Sequence, residues 1–190
     1  MLQVNFKLFR RYTVMEENLY QNICKQAVKM HEAGLGREKI LHYIATEAET
    51  VSGHDTAASI LLLDEHGLLR NAASPQLPND YLLAIDGLKP NAEVGTCAAA
   101  AATGNVVITP SFYADNKWAE LRHLPLALGY VGAWSMPIKT YDNRVIGTFG
   151  TYFRHQRQPS SAEIQGVGLL ASAVAALVTS FLQVDVRAQL

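Results

Sequence analysis

The sequence predicts a single α+β domain with a mostly antiparallel sheet. Three observations carry this. Runs of β-branched and apolar residues are joined by tight turns, which is a hairpin signal. Helical periodicity brackets the strands at both ends. Between the second and third strands runs a crossover of two helices and two long loops, where a ligand pocket is ordinarily built. The 190 residues are 49% hydrophobic and 17% charged, enough for one well-packed core.

The elements follow in order. Residues 1–14 form an N-terminal arm, and residues 15–185 form the domain with its flanking helices. Thr13 and Glu16 have the spacing of a capping box, with Met15 as an alternative start. Leu19, Ile23, Ala27 and Met30 recur at helical spacing, and Gly34 and Gly36 stop the helix. A second helix spans about 38–51, with Ile40, Leu41, Ile44, Ala45 and Ala48 on its inner side. "TAASILLLDE" and "LLRNAAS" make a hairpin about "EHG", and "DYLLAI" is a short helix. "TCAAAAA" is a helix, because alanine has the best propensity and packs closely, and Gly104 ends it. "NVVI" is a strand, 118–128 a helix, and "YVGAWSMPIK" and "RVIGTFGTYF" two strands. A last helix starts near Ser160. Ile164, Val167, Leu170, Val174, Leu177, Val178 and Phe181 form one strip on it, and Leu169, Ala173 and Ala176 a second. One sheet cannot bury both strips, so the first helix and a second copy of the chain are the expected partners.

A net charge of −1 argues against nucleic acid or an anionic membrane as the main target, since both call for basic excess. Cys24 and Cys97 lie far apart, with no CxxC or Cys/His cluster. A disulfide framework, a metal site and a cofactor are not expected, and a reducing cytoplasm is. No secretory signal is read in the N-terminus. Residues 166–182 are apolar but rich in Ala, Gly and Ser, which favours a buried or dimer-forming helix over a membrane span. The six histidines are scattered without ligand spacing.

"VGTCAAAAATGNVVITPSFYADNKWAELRHLPLALGYVGAWSMPI", then "VIGTFGTYF" and "QPSSAEI", resemble the GAF family of small-molecule sensor domains, with similarity over about 37–182. The resemblance implies sheet order 2-1-5-4-3, helices on one face and a ligand pocket on the other. It also implies dimers through the terminal helices. The motif is similar to that of GAF domains of diguanylate cyclases and of stand-alone nitrate-binding GAF proteins in two-component systems. It therefore implies a non-catalytic sensor of a small anion such as nitrate, acting on a sensor kinase or another signalling protein.

The candidate site is built on Thr96 as N-cap, with Cys97, Ala98 and Ala99 as a first turn whose N–H groups lack intrahelical partners. Such a terminus binds anions without Lys or Arg. Trp134 is a pocket wall or a core residue, and Ser74 and Pro75 are site residues or plain turn residues. Trp118 is read as an anchor for the helix after it, and Tyr130 is left open. Cys97 is a redox thiol or a small core residue. Free-methionine-sulfoxide reductases are GAF enzymes that use several cysteines, and only Cys97 is available in that region. Besides the sensor, a Cys97-based redox protein and a ligand-free interaction module stay open.

Overall fold

The computed structural model describes residues 18–53 and 55–188, with side chains to Phe181. The arm, the Thr13/Glu16 spacing, the Met15 start and His54 lie outside the described residues. Helix α1 covers 18–32 and stops at Gly34, whose φ of +78° suits a residue without a Cβ. Then follow α2 (Arg37–Ser52), β1 (Thr56–Leu63), β2 (Leu69–Ala73), α3 (Asn79–Ile85), α4 (Thr96–Thr103) and β3 (Val107–Thr109). A 3-10 turn (Asn116–Trp118), α5 (His123–Ala127), β4 (Gly132–Lys139), β5 (Val145–Phe153) and α6 (Ser161–Ala188) complete the chain.

The five strands form one antiparallel sheet in the order β2-β1-β5-β4-β3, as expected. Strand alternation divides its side chains between two layers. Ala58, Ile60, Trp134, Ile138, Phe149 and Phe153 join the core under α1, α2 and α6. Ala57, Ala133 and Tyr152 join a second core with Tyr81, Phe112 and Trp118, under α3, α5 and the loops. Leu61 and Leu69 pack with Cys97, Ala98 and Ala101 of α4.

The helix expected over 118–128 is broken. A 3-10 turn ends at Trp118, and only five residues from His123 are helical. Pro125 lacks the N–H that would bond the carbonyl of Leu121, and its ring clashes there, so the helix restarts. The last helix begins at Ser161, and Ser160 caps it. Its Oγ accepts from the Glu163 amide at 3.1 Å, and Glu163 accepts from the Ser160 amide at 2.8 Å, a reciprocal capping box. Arg157 grips the same carboxylate with two bonds of 2.9 and 2.7 Å. Burial works to raise the Glu163 carboxyl, but these bonds outweigh it and hold the group below its usual range.

On α6, Val167, Leu170, Val174, Leu177 and Val178 are buried against the sheet and α2. Of the second strip, Leu169 and Ala176 are exposed and Ala173 half-buried. By length and composition Ser161–Phe181 is apolar enough to cross a membrane, yet 44% of its most apolar window is buried within the fold. Helix α1 lies close on α6 at Gly166, where an added Cβ would fall 2.0 Å from the Tyr20 ring.

Helix α2 is tied to the sheet by a buried carboxylate. Glu49 is 4% exposed and accepts the Ala58 amide at 2.9 Å. Burial raises its pKa, and the hydrogen bonds from Ala58 and Gln76 offset this only in part.

Two outcomes are expected. Gly166→Ala forces the Tyr20 ring away and destabilises the domain by about 1–3 kcal/mol, read from urea unfolding. A carboxyl whose folded pKa is raised contributes most below its unfolded value and loses that contribution as pH rises through the folded value. Glu49→Gln keeps the acceptor for Ala58 and removes the charge. The variant is therefore more stable than wild type at pH 8, and the difference vanishes near pH 4.

Candidate ligand site at the start of α4

The site is built on a row of cross-strand partners, Ser59 on β1, Gly150 on β5 and Ser135 on β4. Partners in an antiparallel pair point to one face, here the face covered by α4. Gly150 has no side chain, and α4 sinks into the gap. A Cβ on Gly150 would fall 2.9 Å from Cys97 Sγ and 2.6 Å from Ser59 Oγ. The Ser135 hydroxyl donates to Thr96 Oγ1 at 3.0 Å, and its oxygen lies 3.1 Å from Cys97 Sγ. With the serine hydrogen committed to Thr96, the thiol is the donor in the second bond. Two buried phenols lie beside this relay. Tyr81 donates to Tyr152 at 3.0 Å with the rings edge to face. Burial pushes both phenols up, so both stay protonated at neutral pH.

The N-cap of α4 is Gly95, not Thr96. Gly95 takes φ +52° and donates to the Lys117 carbonyl at 2.8 Å, and no side chain caps the helix. Thr96 is the first helical residue, and its hydroxyl turns down to the sheet because Ser135 supplies a donor there. The first-turn amides thus shift by one residue, to Thr96, Cys97 and Ala98. The turn is covered: Thr96, Cys97 and Ala98 are 1%, 6% and 1% exposed. The Trp118 ring lies over the cap, its Cζ2 3.7 Å from where a Cβ on Gly95 would be. Clefts are found away from this terminus, among them one of about 440 Å³ lined by Val51, Thr56, Arg154 and Glu163, and one of about 460 Å³ beside Asp115 and Lys117.

A clasp holds the covering loop. Thr109 donates to Asp115 at 2.6 Å, Lys117 pairs with the same carboxylate at 2.9 Å, and Asp115 also caps the 3-10 turn by accepting the Lys117 amide. Burial opposes the ionised Asp115, but the bonds from Thr109 and Lys117 hold its pKa below the usual value. Phe112 packs against Trp118 with ring centroids 4.2 Å apart.

Of the site residues proposed from the sequence, Thr96, Cys97, Ala98 and Ala99 are brought together, with Trp118 over the cap, whereas Trp134, Ser74 and Pro75 lie elsewhere. Trp134 is fully buried in the core under α2 and α6. One position along β4 from Ser135, it points to the opposite face. Ser74 donates to Asn71, and Pro75 lines a cleft beside α2 with His42, Glu49 and Gln76. They follow β2, which β1 and β5 separate from the β3–β4 side where α4 packs. Ser59, Tyr81, Gly150 and Tyr152 were missed as site residues. The available signals were a serine and a glycine interrupting otherwise apolar or bulky strands. Among the described residues no cluster of three or more His, Cys, Asp or Glu is placed to hold a metal.

Comparison with known proteins agrees with this architecture. The GAF domain family matches residues 34–179. A methyl sulfide methyltransferase-associated sensor of Methanosarcina acetivorans is 29% identical over 133 residues. The match takes in 70% of this chain, which spans only 13% of that protein's length. The domain of a two-component sensor histidine kinase from Sinorhizobium meliloti superposes with TM-score 0.59 at 25% identity, over 72% of this chain and 85% of that one. The free methionine-R-sulfoxide reductase of Neisseria meningitidis shares the fold, with TM-score 0.67 at 19% identity over 88% and 93% of the two chains. With the family match covering most of its length and the sheet in the order that the fold requires, the chain belongs to the GAF domain family.

Proposed function

We propose that this GAF domain is a non-catalytic sensor in signal transduction that binds a small anion, of the size and charge of nitrate, at the start of α4. One observation carries the reading. An uncapped helix terminus meets a buried group of hydroxyls, a thiol and phenols on the sheet face away from the terminal helices. The residues named there supply donors and no formal charge. A helix end contributes about 0.3–2 kcal/mol to anion binding, so the remainder comes from short hydrogen bonds in a water-poor enclosure. Affinity in the micromolar range at best, about −8 kcal/mol, follows.

The covered state of the terminus suits a sensor whose loop between Thr109 and Trp118 opens to admit the ligand and closes over it. The sensor names of two relatives support an output to a sensor kinase or another signalling protein, and a cytoplasmic location belongs to the same reading. Leu19 and Val28 on α1 and Leu169 on α6 are 45%, 47% and 40% exposed, which suits a homodimer through the terminal helices. Kinship of fold with a reductase favours a second reading, a redox protein using Cys97. That reading has one thiol to work with at the site: Cys24 packs on the other face of the sheet. A third reading, a ligand-free interaction module, draws on the same covered terminus.

Calorimetric titration with nitrate, nitrite and chloride tests the proposal. Saturable nitrate binding is expected, and Cys97→Ser, which keeps a donor at that position, retains it within about tenfold, one hydrogen bond's net worth. Silence for all three anions removes the anion reading and favours the interaction module. Light scattering at micromolar concentration should give twice the 20.8 kDa of one chain; a monomer counts against the bundle interface.

A further inference from the structure

A carboxylate taken out of water is ordinarily paired with an opposite charge. Glu49 is not. It is 4% exposed, and among the described residues no Lys, Arg or His is in ion-pair contact with it. Its partners are neutral donors, the Ala58 amide at 2.9 Å and the Gln76 groups. Two titratable groups lie within electrostatic reach. One is His42 on its own helix, and the other is the Tyr130 phenol before β4, which burial keeps protonated at neutral pH. Buried Glu163 offers the contrast, since Arg157 grips its carboxylate twice.

Glu49 lines a cleft of about 350 Å³ between α2 and the loop after β2, together with His42, Thr46, Thr50, Pro75 and Gln76. His42, Thr46, Glu49 and Thr50 are spaced to share one face of the helix. The polar atoms left over in this lining are acceptors. Thr50 gives its hydroxyl hydrogen to the Thr46 carbonyl at 3.0 Å. Gln76 gives an amide hydrogen to the Thr56 carbonyl at 3.3 Å, which leaves its Oε1 as an acceptor. Thr46 Oγ1, one turn before Glu49, is buried without a hydrogen-bond partner among the described residues. A helical threonine ordinarily finds the carbonyl four residues back, as Thr50 does. No Lys or Arg lines the cleft, so an anion finds no counter-charge there, and a cation that carries N–H groups does.

We propose that this cleft binds the ammonium group of a small primary amine, with the Glu49 carboxylate as counter-ion and the Thr46 hydroxyl and Gln76 carbonyl oxygens as its other two acceptors. An ammonium carries three donors and no acceptor, which matches the lining atom for atom. A quaternary ammonium or a sodium ion brings the charge without the donors. The cleft lies on the side of the sheet covered by α2, away from α4, so the site is independent of the anion reading.

Methylammonium chloride is titrated by NMR at pH 8 into wild type, Glu49→Gln and Thr46→Val, with tetramethylammonium chloride and sodium chloride at equal ionic strength as comparators. Wild type is expected to saturate in the millimolar range, the ceiling for a probe of two non-hydrogen atoms, and the comparators not to saturate. Glu49→Gln, which keeps the acceptor for Ala58, weakens binding tenfold or more, and Thr46→Val threefold or more. A second measurement does not depend on the folding of a variant. In wild type labelled with ¹³C at the glutamate carboxyls, the pH midpoint of the Glu49 resonance falls by about 1 at methylammonium tenfold above its Kd, as a ligand of the ionised form alone requires. Absence of saturable methylammonium binding, equal binding of tetramethylammonium, retention by Glu49→Gln within twofold, or an unmoved Glu49 midpoint each overturns the amine site. Nitrate binding at α4 stands or falls separately from all of these results.

Discussion

Gly150 lies at the centre of the sheet, flanked by Ser59 and Ser135 on the neighbouring strands, and the seat of α4 depends on its missing side chain. Cys97 Sγ occupies the space that a methyl group would claim. The strand's own φ is ordinary, so the constraint is steric rather than conformational. With the sulfur lodged there, the first turn of α4 is held against the strands and the Thr96 hydroxyl comes within reach of Ser135. Ala98, Ala99 and Ala100, each at most 2% exposed, let the rest of the helix follow the sheet without bulk to hold it off. The alanine run and the strand glycine are two halves of one fit.

From this seat the remaining features of the site follow. Gly95 turns the chain into the helix at a positive φ and offers its amide to the loop at Lys117. That bond brings Trp118 over the cap, and the clasp at Asp115 fixes the turn that carries it. Tyr81 reaches in from α3 to meet Tyr152, so the crossover segment packs beside the same relay from a second side. These contacts join residues well apart in sequence, as a site assembled from loops on a rigid sheet requires.

The two faces of the sheet are linked through β1. Ser59 faces α4, and its neighbour Ala58 faces the helices and gives its amide to Glu49 of α2. The same alternation separates Trp134 from Ser135: adjacent in the chain, they belong to different cores.

Much of this architecture was legible in the chain itself. Turn residues and alternating strands announced the antiparallel sheet, the alanine run and Gly104 bounded α4, and the resemblance to GAF domains carried the strand order. These are properties of short windows, where local propensity and periodicity act directly. The site was legible only as a helix start. That Gly95 rather than Thr96 is the cap, that Ser135 takes the threonine hydroxyl, that Trp134 faces away, and that Ser74 and Pro75 lie beside α2 all depend on register and on which face each strand presents. Ser135 and Gly150 meet across the β4–β5 hairpin, but Ser59 joins them only through β1, far away in sequence, and no local pattern encodes that pairing. The sequence by itself determined the elements and their class. Tertiary structure alone decided which side chains meet at the helix end, because those contacts arise only when β1, β5 and β4 align and α4 settles over Gly150.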